Sequence, residues 1–399
     1  MLIVAPQPYF EERGTPIAIS YVLKALSELN YTVDLLAFPV GQDLSYPNVT
    51  IHRVINLLGI RSVPIGFSMR KVFLDIALFF KIRSLIKRNE YCYIHAVEEA
   101  AYLSVVARGR TGIPIVYDMA SSLPEQLQDL PILGSRVVNR IMSSLEASLV
   151  NRVNYVTCSA GLLPHVRSIS KYVPASEWWF PSVVNDVVDS EQRKSFRQDI
   201  SVAEDDTLFV YTGSFASYQG IQLLLDAISI LSTDGFEGKF LLIGATKSEL
   251  ANLAESSSSD LTQNLILWGR MSRPEVAQAL AAADVLISPR LFGNNVPLKI
   301  FDYMGAGKPI IASNIPAHTS VLDSSRAVLY KNTSQDLAKA IVELCRSPSR
   351  MHMLGRNAKE YANEKLSWPR FRELIRQISD VVRQSPDIHA TLDARLKSD

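Results

Sequence analysis

Short apolar runs bounded by turn residues alternate with helical periodicity along most of the chain. Leu2–Pro6, Val33–Phe38, Cys92–Ala96, Ile115–Asp118 and Asn154–Ser159 read as strands. Between them, Ile17–Leu29, Arg70–Arg88, Ala100–Arg108 and Ser135–Asn151 repeat apolar residues at helical spacing. Such alternation with short links predicts a parallel sheet covered on both faces. The pattern then restarts. Thr207–Gly213, Phe240–Gly244, Leu265–Gly269, Val285–Pro289, Ile310–Ser313 and Ala327–Tyr330 read as strands, with Gly220–Leu231 and Arg273–Ala283 among the intervening helices.

The break between the halves lies after Trp178-Trp179-Phe180-Pro181, ahead of a charged helix at Ser190–Asp199. The chain therefore divides into an N-terminal domain, 1–185, a C-terminal domain, 186–365, and a crossover helix with tail, 366–399. The fold class is α/β, two doubly wound domains, and 399 residues suffice for both. Ligands of such sheets bind at the carboxyl ends of the strands, which here are expected to face one central cleft.

Composition narrows the chemistry. The net charge of +1 gives no reason to expect nucleic acid as a partner. Three scattered cysteines, without CxxC spacing, fit a reducing cytosol rather than a disulfide framework. Six histidines form no HxxxH or HxH cluster, and no Asp-x-Asp ends a strand, so no metal is expected. Met1–Pro6 reads as a buried strand rather than a signal peptide, and no uncharged apolar run is long enough to span a bilayer. Residues 53–110 carry ten Lys/Arg against four Asp/Glu. With the apolar helix Arg70–Arg88 this suits peripheral contact with anionic lipid, or equally a core helix with solvated ends.

The richest segment is Asn294–Pro309. Asn294, Asn295, Val296, Pro297, Leu298 and Lys299 lead from a polar loop into a short amphipathic helix, followed by a Gly-Lys-Pro turn and the strand Ile310–Ser313. A loop feeding a helix N-terminus aims backbone N–H groups and the positive end of the helix dipole at one point, which suits a phosphate. Asp302, about one turn inside, is expected to accept hydrogen bonds from ribose hydroxyls. Near the start of the chain, Arg13-Gly14-Thr15-Pro16 opens the first helix, with Gly14 for close backbone approach and Thr15 as N-cap. His95, Glu98 and Asp118 end strands of the first domain. Each has a plainer reading as a strand-end histidine or a helix cap.

Asn294–Pro309 and Gly213–Gly220 closely resemble the donor-binding signatures of glycosyltransferase family 4, retaining enzymes of the GT-B fold, and the likeness extends from Leu2 to Trp368. The resemblance implies a final helix crossing back to the N-terminal domain. It also implies donor binding by Gly14, Thr15, Gly213, Ser214, Gln219, Arg270, Arg290, Asn294–Lys299 and Asp302. Asp118 stands where the family usually has a sugar-facing histidine. With His95 and Lys299 it forms the expected catalytic set, and Glu98 and Arg13 are expected to position the acceptor.

The chain departs from the family's usual form in three places. Ser214 and Gln219 replace an arginine and a lysine that neutralise the diphosphate, and Asn294 replaces the first of two glutamates eight residues apart. Lys299, Arg290 and Arg13 are the cations expected to compensate. The implied function is metal-independent, retaining transfer of a sugar from a nucleotide diphosphate sugar to an acceptor hydroxyl. The acceptor would belong to glycan, polysaccharide or glycolipid assembly, in the cytoplasm or on the inner face of a membrane. Two alternatives stay open: an inactive nucleotide- or glycan-binding subunit, and a UDP-sugar epimerase.

Overall fold

The computed structural model describes residues 1–56, 59–63, 68–122, 124, 136–184, 190–256 and 264–385. The boundary expected at 185/186 and the tail after Ser385 lie outside these. The chain forms two compact units, Met1–Trp178 with the C-terminal helix from Pro369, and Trp179–Trp368.

The first unit is built on a seven-stranded parallel sheet in the order β3-β2-β1-β4-β5-β6-β7. Its strands are β1 (Leu2–Ala5), β2 (Val33–Ala37), β3 (Val49–Arg53), β4 (Ile94–Val97), β5 (Ile115–Met119), β6 (Tyr155–Cys158) and β7 (Ala175–Glu177). The central strands are apolar because helices cover both faces. The edges β3 and β7 were not expected. Both pair on one side only and are half-exposed, so neither needs an apolar run. Arg53 holds the β3 edge, donating to the carbonyls of Phe38, Val40 and Tyr9 at 3.0, 2.9 and 2.6 Å.

Helix α1 (Gly14–Glu28) begins three residues earlier than its apolar periodicity suggests, and α2 (Met69–Arg88), α3 (Ala100–Arg108) and α4 (Arg136–Val150) match the expected segments closely. In α2, Leu74, Leu78, Ile82 and Leu85 point into the core, while Phe73, Ile76 and Phe80 are exposed. The core reading therefore describes only one face of that helix.

The second unit carries a six-stranded parallel sheet, β10-β9-β8-β11-β12-β13. These are β8 (Thr207–Thr212), β9 (Gly238–Ile243), β10 (Leu265–Trp268), β11 (Val285–Ser288), β12 (Ile310–Ser313) and β13 (Ala327–Tyr330). Helix α5 (Leu298–Ala306) enters from the loop after β11. The last helix, α6 (Trp368–Gln384), buries Phe371, Ile375, Ile378 and Val382, a stripe at helical spacing. It belongs to the first unit, where Ser379 Oγ and Tyr93 Oη share a buried 2.8 Å hydrogen bond.

In each sheet the order reverses once, between β1 and β4 and between β8 and β11. Chain segments leave these neighbouring strands in opposite directions, which opens a crevice at their carboxyl ends. Among the described residues no helix is long and apolar enough to cross a membrane.

Candidate functional site

In the second unit the crevice between β8 and β11 is kept open by a side chain. The two strands pair only at Val285↔Phe209 and Leu286↔Val210. Beyond that, the buried Tyr303 hydroxyl accepts from the Thr212 amide at 2.9 Å and donates to the Ile287 carbonyl at 3.3 Å. The next backbone groups of both strands are thus satisfied by a phenol rather than by each other.

Lys299, from the first turn of α5, reaches across this crevice. Its Nζ donates to Gln219 Oε1 at 3.0 Å and lies 4.0 Å from the centroid of the Tyr211 ring. Gly213 makes room for it, with φ +141 and a position where a Cβ would come 2.7 Å from Nζ. Among the described residues no carboxylate pairs with Lys299. Burial, and secondarily the guanidinium of Arg290, hold its pKa well below the usual lysine range. An amine without a counter-charge in a crevice holds its proton more firmly once an anion binds beside it, so the arrangement suits an anion.

The helix behind it adds to this. Pro297 is the N-cap of α5 and no side chain caps the first turn, so the amides of Leu298 and Lys299 and the helix dipole favour negative charge. The Asn294–Pro297 loop is packed, with Val296 buried and Asn294, Asn295 and Pro297 half-buried. Arg290 shapes it from within. Its Nε donates to the Phe292 carbonyl at 2.9 Å, Nη1 donates to the Asn295 carbonyl at 3.0 Å, and the guanidinium lies over Tyr218 at 5.3 Å. Beneath, His318 is fixed by Ser288 Oγ at 3.0 Å and the Ser313 carbonyl at 2.9 Å, and burial lowers its pKa to about 4. It supports the loop as a neutral imidazole.

Asp302 corrects the sequence reading. It is buried, with Arg273 Nη1 2.7 Å from Oδ2 and Nη2 3.1 Å from Oδ1, and its Oδ1 also accepts from the Val183 amide at 2.8 Å. A residue one turn further round a helix with an apolar face points inward, so this carboxylate ties α5 into the unit rather than facing open space. Arg270 is exposed after the edge strand β10, which β9 separates from β8. Ser214 is half-buried, and its carbonyl accepts from the Tyr211 hydroxyl at 2.7 Å.

The crevice of the first unit has the opposite character. Asp118, on β5, is buried; its Oδ1 accepts from the Trp178 indole at 2.7 Å and its Oδ2 lies 3.3 Å from His95 Nε2. Both side chains that fix it come from other strands or loops, so it is a positioned carboxylate and not a local cap. Glu98, just after β4, takes φ +49, a conformation costly for a residue with a Cβ. Its Oε2 accepts from Gln7 Nε2 at 2.7 Å, linking the segments that leave β1 and β4. Burial, and next the neighbouring charge of Glu99, raise its pKa to about 7. Glu98 can therefore hold or release a proton near neutrality. Glu99 itself pairs with Lys71 at 2.7 Å.

At the start of α1 two expectations change. Arg13, not Thr15, is the N-cap, in extended backbone without a side-chain cap, and its Nε lies 3.0 Å from Glu11. Thr15 sits inside the first turn because Gly14 is already helical. A Cβ at Gly14 would meet nothing within 4 Å, so the protein itself imposes no close approach there. Trp178, Gln7, Arg273 and Tyr303 were not expected at these sites. Each acts through a partner distant in sequence, and only Trp178, in the Trp-Trp-Phe-Pro run, carried a compositional signal.

The β8–β11 crevice falls within a recognisable segment. Residues 206–347 match a glycosyltransferase family, described as glycosyl transferases group 1. The chain is similar to the lipopolysaccharide 1,2-N-acetylglucosaminetransferase of Salmonella typhimurium, 25% identical over 199 residues, which are 47% of this chain and 52% of that protein. It thus spans about half the length of that relative. Sucrose-phosphate synthase from Thermosynechococcus elongatus superposes with a TM-score of 0.80 at 16% identity, covering 94% of this chain and 97% of that one. Anabaena HepE, solved in complex with UDP-glucose, gives 0.70 at 16% identity, over 94% and 98% of the two chains. The architecture, two Rossmann-like parallel-sheet units, is that of the GT-B glycosyltransferases.

Proposed function

We propose that the protein is a retaining glycosyltransferase of family 4 type, transferring a sugar from a nucleotide diphosphate sugar to an acceptor hydroxyl. One observation carries the reading: Lys299, lacking a carboxylate partner among the described residues, beside the uncapped N-terminus of α5, within the segment that matches the glycosyltransferase model. In the reaction the acceptor oxygen bonds to the anomeric carbon as the bond to the diphosphate oxygen breaks. The acceptor proton passes to the leaving diphosphate, whose charge Lys299 and the α5 amides stabilise. Lys299 stands on Gln219, the position where the resemblance lacks its usual lysine, so one cation substitutes for another. No metal is assigned to this step.

In the first unit, Asp118 and His95 are assigned to the transferred sugar, and Glu98 with Arg13 to the acceptor. Gly14 and Thr15 are assigned to the donor. The UDP-glucose bound by HepE and the lipopolysaccharide substrate of the Salmonella relative support a sugar nucleotide as donor and a lipid-linked glycan as acceptor. The protein would then work in the cytoplasm, at the inner face of a membrane.

A panel of nucleotide sugars screened by thermal shift, followed by sugar-release and product assays on the binders, tests this. Stabilisation with transfer and retained anomeric configuration is expected. Stabilisation without transfer or hydrolysis would favour the inactive binding subunit, which Ser214, Gln219 and Asn294 motivate. An isomerised UDP-sugar would favour the epimerase, for which Glu98 supplies a carboxyl titrating near neutrality.

A further inference from the structure

We infer that the last helix, α6, positions Asp118 through Phe371 and Trp178, and so serves the reaction from the opposite end of the chain. The inference rests on the proposed assignment of Asp118 to the transferred sugar. The two oxygens of that carboxylate are held unequally. The Trp178 indole donates to Oδ1 at 2.7 Å, whereas His95 Nε2 stands 3.3 Å from Oδ2. The shorter contact governs how the carboxylate is turned. Nε1 is the one polar atom of the indole, and a single hydrogen bond does not place the ring that carries it. Packing does.

Trp178 follows β7, and its amide donates to the Cys158 carbonyl at 2.8 Å. This fixes the main chain and leaves the side-chain torsions to the neighbouring rings. The His95 ring lies 6.3 Å from the indole at a tilt of 36°, and Phe371 lies 5.9 Å from it at 35°. Phe371 is buried and also meets Tyr21 of α1 edge-on at 6.3 Å, so it contacts α1 and the indole at once. Helix α6 is itself pinned. Ile375, Ile378 and Val382 are buried along the same stripe, and the Ser379 hydroxyl bonds Tyr93, two residues before His95. The helix therefore reaches both side chains that hold Asp118, His95 through the start of β4 and Trp178 by direct ring contact. All of these residues belong to the first unit. Small displacements of a reacting group cost rate out of proportion to their length, so a change at Phe371 should be felt at Asp118.

Trp178→Phe keeps a ring and removes the indole N–H, and Phe371→Leu keeps an apolar side chain but withdraws the ring behind the indole. In the full chain, Trp178→Phe should lower turnover about tenfold and Phe371→Leu about fivefold, with the Kd of UDP within about twofold of wild type. On an Asp118→Ala background each should cost less than about 1.5-fold, because residues acting through one carboxylate are not additive. A structural role alone would cost the same factor in both backgrounds and would overturn the proposal. Turnover at the wild-type rate in either single variant would overturn it too. Phe371→Met takes the place of the leucine variant if that one does not fold. The indole N–H resonance of Trp178, identified by its loss in Trp178→Phe, gives a reading that needs no donor. Phe371→Leu and Asp118→Ala should each shift it, and a resonance that Phe371→Leu leaves in place would overturn the link to α6. Wild-type protein that neither transfers nor hydrolyses any donor would defeat the glycosyltransferase reading and this use of α6 with it. That outcome is told apart from additive losses because it shows before any variant is made.

Discussion

At the crevice between β8 and β11, Lys299 rests on an amide oxygen and an aromatic ring, with Arg290 close enough to depress its pKa. At the crevice between β1 and β4, and on the strand beside it, carboxyl groups stand out instead. Glu98 is held by Gln7, and on the next strand Asp118 is held by Trp178 and His95. The two units share a strand arrangement at the reversal but place different groups there, a lysine amine in one and carboxyl groups in the other. In each unit the sheet fixes where a ligand would be met, and the side chains on the following loops decide what chemistry it meets. A cationic crevice suits a leaving diphosphate, and a carboxylate crevice suits hydroxyls and developing positive charge on a sugar.

The contrast can be broken from either side. Asp302 supports the Lys299 crevice, so Asp302→Ala, which removes the carboxylate that pairs with Arg273, should lower unfolding free energy by about 3 kcal/mol in a denaturant titration. A change below about 0.5 kcal/mol would mean that the ion pair contributes nothing. Lys299→Met should cut turnover about a hundredfold, equivalent to about 2.7 kcal/mol of transition-state stabilisation. Its Tm at neutral pH should hold or rise, because an amine without a carboxylate partner among the described residues leaves the interior; a fall in Tm would make Lys299 structural. Asp118→Asn keeps shape but removes charge, and should lower turnover about tenfold, or about 1.4 kcal/mol, with donor affinity within a few-fold of wild type. Normal transfer by this variant would reduce Asp118 to a packing role.

The smallest effect expected is the pH response of Glu98. Its pKa is raised from 4.5 to about 7 on folding, so between these values the native state binds more protons than the unfolded chain. Stability should therefore fall as pH rises from 4.5 to 7, by on the order of 1 kcal/mol from this group. Glu98→Gln should flatten that part of the profile in denaturant midpoints taken across the window. Parallel wild-type and variant profiles would show that Glu98 ionises alike in both states.

Much of this was legible in the chain. Ile310–Ser313, Ala327–Tyr330 and Ala100–Arg108 have the bounds that their apolar periodicity suggests, because a central parallel strand or a covering helix must be apolar where it is buried. Edge strands escaped for the complementary reason. Val49–Arg53 needs only one neighbour and leaves polar groups in solvent. At the sites, periodicity reported that Asp302 lies on a helix but not that Arg273, 29 positions earlier, meets it. The same holds for Trp178 and Asp118, 60 apart. Spacing along the sequence describes one element at a time, and such pairs are made only when elements pack.

The Tyr303 hydroxyl acts as a doorstop. Parallel strands zip for as long as amides and carbonyls face each other, and β8 and β11 stop after the rung at Leu286↔Val210 because the phenol takes the groups of Thr212 and Ile287. Its reach from α5 thereby sets the depth of the notch into which Lys299 projects. Tyr303→Phe would remove the stop while keeping the ring. The strands would then close by a further rung or leave an amide and a carbonyl without partners, and the hydrogen-exchange rate of the Thr212 amide would distinguish a narrower notch from a looser one.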